Sequence, residues 1–189
     1  MTKNLIPAVI TALLITGCSF SGLAPHADAP RYYILTSPAS SASIPESRMV
    51  LSIMPVHLPG YLDRTQIVTR TGEDTAISVS DYDRWGEDLA LGIARVVSAA
   101  LSEHGISAAP LRLGMIQGPK LRLEIRRFEG IPGGNAEIDA GWALIVDGDE
   151  WKTGSFAKRS AAGSGYEGMV ASLSLLAHDL GSAIAASLR

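Results

Sequence analysis

Four histidines and one cysteine are the side chains here most suited to binding a metal or attacking an electrophile. His26, His57, His104 and His178 are scattered and no second cysteine accompanies them, so a structural zinc site is not expected. His104 stands near a predicted helix end, where a cation is favoured by the C-terminal dipole. Gly163-Ser164-Gly165 is superficially like a nucleophile elbow. Its glycine spacing is wrong for one, and a flexible turn before a helix accounts for it. There is no P-loop, no dinucleotide fingerprint and no HExxH motif. With no triad to assemble and no cofactor implied, an enzyme is not expected.

The remaining chemistry belongs to Cys18. Lys3 opens the chain, and the apolar run Leu5–Ile15 comes next, interrupted only by Pro7 and Thr11. The run is too short for the roughly 20 residues that a membrane-spanning helix needs. A charged start, a short apolar stretch and small residues at its end match a secretory signal peptide over residues 1–17. Ile15-Thr16-Gly17-Cys18 resembles a bacterial lipobox, with isoleucine where leucine is more usual. On that reading the Cys18 thiol takes a diacylglycerol, cleavage falls before it, and a further acyl chain such as palmitate joins the new amino terminus. Each buried methylene is worth about 0.8 kcal/mol, so two or three chains anchor stably where one would not. A buried, incidental cysteine is the alternative. Ser19, rather than aspartate, comes directly after the cysteine, so the expected location is the outer membrane, facing the periplasm. A thiol consumed by lipid also suits an oxidising compartment.

The 189 residues hold 16 Lys+Arg against 19 Asp+Glu, a formal charge of −3, with 47% hydrophobic and 19% charged residues. That balance describes a globular chain, and it lacks the basic block that phosphate neutralisation on nucleic acid requires. One cysteine excludes an intrachain disulfide. Residues 18–30 read as a lipidated cysteine and flexible tether, and 31–189 as one domain. No segment after the signal peptide reads as a membrane span.

Within the domain, Arg31–Thr36 has strand composition and 37–47 is a low-complexity loop. Arg48–Val56 is apolar on both faces, as a central strand would be, and Pro55 and Pro59 interrupt regular pairing at its end. Gln66–Arg70 and Ala76–Ser80 read as short strands around a turn at 71–74. A helix capped by Asp81 or Asp83 is expected next. Trp85, Leu89, Ile93, Val96, Val97, Ala100 and Leu101 form its apolar stripe, and Gly105 ends it. Residues 106–119 read as a connection, with Leu111-Arg112-Leu113 as a short strand at most. Three strands come after it: one from Leu121, one through Ile138–Val146, and Glu150–Lys158 beyond a tight Asp147-Gly148 turn. The Pro132-Gly133-Gly134-Asn135 hairpin tip should be exposed.

A second helix over 166–188 carries Tyr166, Met169, Val170, Leu173, Leu176, Leu180 and Ile184 on one stripe, with Gly181 costing it up to about 1 kcal/mol. The fold class is α+β, a mixed or antiparallel sheet with two amphipathic helices on one face.

Two charge features stand out. Glu73, Asp74, Asp81, Asp83, Glu87 and Asp88 surround a single base, Arg84. They read either as a solvated helix start or as a docking patch (Asp81, Asp83, Glu87, Asp88) for a basic partner. Lys120, Arg122, Arg126 and Arg127 crowd one strand, either as a solvated sheet face or as a surface for phospholipid headgroups.

At Leu58–Val68 the chain reads LPGYLDRTQIV, and Arg84-Trp85-Gly86-Glu87-Asp88-Leu89 opens the expected helix. Together with Tyr33-x-Leu35, Ala140-x-Trp142 and Tyr166-x-x-x-Val170-Ala171, this resembles the ABC-type transport auxiliary lipoprotein family, the PqiC-like lipoproteins, over nearly the whole chain after Cys18. Gly86 and Asp88 depart from the family's RWAEPL-type pattern.

The resemblance implies a non-catalytic outer-membrane lipoprotein. It would serve an inner-membrane MCE-domain protein and its transporter in moving phospholipid between membranes and keeping the envelope intact. A ring of copies at the outer membrane is part of that implication. A structural or assembly lipoprotein for an outer-membrane or cell-wall complex is the alternative. Candidate partner- or lipid-binding residues are Tyr61, Leu62, Asp63, Arg64, Gln66, Arg84 and Trp85. Tyr61 and Leu62 read either as staples to the core or as an exposed apolar lip. Tyr61 and Arg64 are the residue types favoured at interface hot spots. Trp85 reads as core by helical spacing.

Overall fold

The computed structural model describes residues 29–38, 46, 48–71, 75–111 and 118–189. The signal peptide, Cys18, His26, Glu73, Asp74, Arg112 and Leu113 lie outside the described residues.

Strand β6 (Lys120–Gly130) organises the sheet. Its Leu121, Leu123 and Ile125 point inward, all at 2% exposure or less, and a bulge between Ile125 and Arg127 resets the alternation so that Phe128 is buried too. On one side β6 pairs antiparallel with β7 (Asn135–Val146), which pairs in turn with β8 (Asp149–Ala161). The hairpin joining β7 and β8 has the positive φ of a primed turn at Asp147 (53°) and Gly148 (98°), as the sequence predicts.

On its other side β6 meets two shorter strands in succession. Its start pairs parallel with β2 (Met49–Ile53) and its end with β3 (Gln66–Arg70). Beyond β3 come β4 (Ile77–Trp85), antiparallel to it, and β1 (Arg31–Tyr33), parallel to β4. Beyond β2 lies the parallel β5 (Ile106–Pro110).

Helices α1 (Leu89–Glu103) and α2 (Gly165–Ser187) pack on each other, α1 also against β5, and α2 also against β6, β7 and β8. Apart from Trp85, which lies before α1, and Tyr166, which is only partly buried, their buried stripes are those expected from sequence, and they join the inward side chains of the sheet in one cluster. The mixed α+β architecture is therefore as expected.

Two elements differ. The first helix begins at Leu89, not near Asp81 or Asp83, because β4 runs on to Trp85. Its neighbour β1 holds it extended with the register Arg31↔Asp83 and Tyr33↔Trp85. Asp88 is the cap, its Oδ1 accepting from Ala90 N at 2.8 Å. Residues 106–110, read as a connection, form β5. The small residues of ISAAP carry little strand propensity, and pairing with β2 specifies them instead.

Helix α2 is long and apolar enough to cross a membrane by length and composition, contrary to the expectation that no such segment comes after the signal peptide. More than half of its most apolar 18-residue stretch is buried inside the domain, so it serves here as a core helix. Gly181 has a packing role as well: a Cβ there would lie 2.7 Å from the Ala100 Cβ and 2.9 Å from the Val97 carbonyl, so the two helices meet at this glycine.

Candidate functional site

The LPGYLDR segment lies between β2 and β3, and the edge of β6 guides its path. Met54 N donates to Leu121 O (2.8 Å), His57 N to Leu123 O (3.0 Å), and Ile125 N returns a bond to His57 O (2.8 Å). The chain then leaves the sheet, and Leu62 N closes a turn onto Pro59 O at 2.9 Å. Leu62, 3% exposed, plugs the loop into the core.

Tyr61 is half-buried and its hydroxyl donates to Glu129 Oε2. Glu129, on β6 and 2% exposed, also accepts from Arg70 through Nε (2.7 Å) and Nη2. Desolvation, reinforced by the bond to Glu129, pushes the Tyr61 hydroxyl far above the usual tyrosine range, so it stays a donor. The bonds to Glu129 likewise raise the Arg70 guanidinium. Tyr61 and Leu62 thus form no exposed lip: Leu62 belongs to the core and Tyr61 seals a buried ion pair. Asp63 and Arg64 are exposed on the loop. Glu129 and Arg70 are the residues that sequence reasoning missed, because Glu129 stands 68 residues from its tyrosine with no local signal.

The start of α1 faces this loop across a groove of about 440 Å³, lined by Met54, Val56, Leu58, Ala90, Leu91 and Ala94, with Asp63 and Asp88 at its polar part. A second hollow of about 360 Å³ shares Asp63 and Asp88 and reaches Arg64, Trp85 and Glu87. Asp63, Arg64, Glu87 and Asp88 are therefore brought together. Trp85 is core, 6% exposed, although it ends a strand rather than riding a helix. Gln66 and Arg84 pair across β3 and β4, and Arg84 Nε is buried without a hydrogen-bond partner. At Gly86 a Cβ would lie 3.1 Å from Ile34 Cγ2, so the family's alanine would crowd that side chain.

The acidic residues do not make one exposed patch. Asp83 is 2% exposed and accepts from Arg31 (2.8 and 3.0 Å), Tyr33 (3.1 Å) and Ser80 (2.9 Å). Burial alone would raise its carboxyl, but these bonds outweigh it and hold Asp83 below the usual range. Glu87 pairs with Arg95, Asp88 is spent on the cap, and Asp81 is exposed.

Three of the four bases on the basic strand are ion-paired. Arg122 pairs with Glu150, Arg126 with Asp139 (2.6 Å) and Arg127 with Glu137 (3.2 Å). His178 meets Glu103 at 3.1 Å, and no metal-binding cluster occurs among the described residues. Gly163-Ser164-Gly165 is a tight turn into α2, where a Cβ on Gly168 would lie 2.4 Å from the Gly163 carbonyl carbon.

A family model described as the ABC-type transport auxiliary lipoprotein component matches residues 33–185, a span that runs from the end of β1 to the last turn of α2. The chain belongs to that family. The groove, the LPGYLDR loop and the Glu129 pair all lie inside the matched region, so this auxiliary lipoprotein carries its candidate surface within the family domain. Two solved structures share its fold. An uncharacterised protein superposes with a TM-score of 0.71 at 23% identity, covering 86% of this chain and 100% of its own. Protein XCC0632 from Xanthomonas campestris superposes with a TM-score of 0.66 at 16% identity, covering 84% and 94%. No curated protein matches the chain significantly.

Proposed function

We propose that this auxiliary lipoprotein sits on the periplasmic face of the outer membrane, anchored through acyl chains on Cys18. There it serves an MCE-type intermembrane phospholipid transport system by docking rather than by catalysis. The observation that carries this reading is the family match across residues 33–185. The apolar groove beside the LPGYLDR loop supports it by offering a place to dock. Its wall includes Leu91, an aliphatic side chain 47% exposed, beside the acids Asp63 and Asp88. A partner with an apolar anchor flanked by basic residues complements that surface, and the MCE-domain protein of the inner membrane is the partner we assign. Association of copies into a ring belongs to the same reading. Lacking a P-loop, the chain leaves any energy input to the transporter.

Deletion should raise detergent sensitivity and disturb lipid asymmetry of the envelope. Complementation with Leu91→Asp, which leaves the core untouched, should restore less than the parent chain does. An envelope unaffected by deletion would overturn the transport role.

A further inference from the structure

The charge on the outer face of the sheet gives way to apolar side chains at its β1–β4 end. Tyr33 faces the helices, its ring 6.4 Å from that of Tyr166 on α2, and its cross-strand neighbour Trp85 is buried with it. Side chains alternate along a strand and cross-strand neighbours share a face, so Tyr32 and its neighbour Arg84 point the other way. Arg84 stands opposite Gln66 on β3. Further along β3, Val68 stands opposite Val79 and Arg70 opposite Ile77. Alternation along β3 therefore puts Ile77, Val79, Arg84 and Tyr32 on one face, and Tyr82 and Ile34 join it two residues from Arg84 and Tyr32. At Gly86 a Cβ would lie 3.1 Å from Ile34 Cγ2 and 3.8 Å from Tyr32 Cβ, so the glycine lets these two side chains close over the strand end.

Nine large hydrophobic side chains stand exposed among the described residues, and five of them are on this face: Tyr32, Ile34, Ile77, Val79 and Tyr82. Single exposed apolar side chains are ordinary, whereas a contiguous group marks an interface. Among them lies Arg84, which enters no ion pair among the described residues and whose buried Nε has no hydrogen-bond partner. Asp81 is exposed on the same strand, so the charges of the patch cancel and apolar contact has to supply the affinity.

The route of the chain says what covers this face. Strand β1 is the first element described, and Cys18 lies 13 residues before Arg31. Even fully extended, such a stretch spans about 45 Å at most, so acyl chains on Cys18 hold this end of the sheet beside the bilayer. Contact between the patch and that bilayer becomes an intramolecular event. Tyrosine and arginine, each with an apolar body and a polar tip, suit the headgroup level. Among the described strands β1 pairs with β4 alone, and the unpaired backbone groups of its free edge could not enter hydrocarbon, which sets the depth of contact.

We infer that the Tyr32–Ile34–Tyr82 face of β1 and β4 rests on the headgroup layer of the bilayer that holds the Cys18 anchor. This inference rests on the anchor of the proposed function and not on its MCE-domain partner. The helices pack on the opposite face, so the α1 groove stays clear.

The test is spin labelling of the protein purified from envelopes and reconstituted in phosphatidylethanolamine–phosphatidylglycerol vesicles. Tyr82→Cys, and Leu175→Cys on α2, each carry a nitroxide, since an acylated Cys18 does not react. Both side chains are exposed, so the variants should keep the parent unfolding midpoint. The readout is the ratio of nitroxide collisions with oxygen, enriched in the acyl layer, to collisions with a nickel chelate confined to water.

That ratio should be at least about threefold higher at position 82 than at position 175, and should persist at high salt. Adding Ile34→Asp should bring the value at 82 down to that at 175. Equal ratios at the two positions in an acylated chain overturn the inference. Spectral broadening at position 82 that disappears on dilution with unlabelled protein also overturns it, because a second copy then covers the face. Labelling of the parent chain would show a free Cys18 and overturn the anchor. The same ratio, measured on Tyr82→Cys/Cys18→Ala with vesicles in excess, then decides the face by itself.

Discussion

A carboxylate taken out of water costs several kcal/mol unless its oxygens find donors, and removing one partner of a buried pair costs about 3–5 kcal/mol. Glu129 meets those terms, with Arg70 and Tyr61 closing on it from β3 and from the LPGYLDR loop. Glu129→Gln should therefore lower the urea unfolding free energy by about 3 kcal/mol, while Tyr61→Phe should cost about 1–2 kcal/mol. Equal and negligible effects would mean that the loop is held by Leu62 alone.

Asp83 obeys the same logic with a pH signature. Its folded carboxyl titrates below the unfolded one, so its contribution is present above about pH 4 and is lost as pH falls through the folded value. Acid unfolding of the parent chain should steepen below pH 4. Asp83→Asn should start less stable and lose less over that window, as chemical denaturation at stepped pH would show.

These two networks were the least legible part of the sequence. Tyr61, Asp83 and Trp85 drew attention by type and spacing, but their partners come from other strands. Asp83 therefore read as a helix cap or surface charge although it is buried and paired with Arg31, 52 residues earlier.

At the scale of elements, periodicity was informative wherever a segment had one clear face. The stripes of α1 and α2 and the β6–β7–β8 meander could be read from it, including the Asp147-Gly148 turn. It misled at the junction of β4 and α1, since Trp85 and Leu89 stand four apart whether or not the helix has begun. It was silent on β5, whose residues become a strand only beside β2.

Gly181 shows local propensity and packing pulling in opposite directions. Gly181→Ala gains up to about 1 kcal/mol of helix propensity but forces a methyl into the Val97–Ala100 contact, where overpacking costs about 1–3 kcal/mol. The midpoint of thermal unfolding should fall by a few degrees, and a rise would show that the helices can move apart at no cost.

For the molecule as a whole, the sheet separates a buried helix-facing layer from a charged outer one, and the candidate partner-docking surface is the loop–α1 groove. It was not visible in sequence as a site, because Met54 and Leu58 come from the segment after β2 while Leu91 and Ala94 come from α1. The family could be read from the LPGYLDR and RWGEDL segments, and the match over residues 33–185 bears it out.

The docking account stands or falls on the partner. Full-length protein, purified with its anchor from gently crosslinked and detergent-solubilised envelopes, should bring down an MCE-domain protein in stoichiometric yield, and Leu91→Asp should reduce that yield. Recovery of an outer-membrane barrel or a cell-wall synthase in place of any MCE-domain protein would contradict the account.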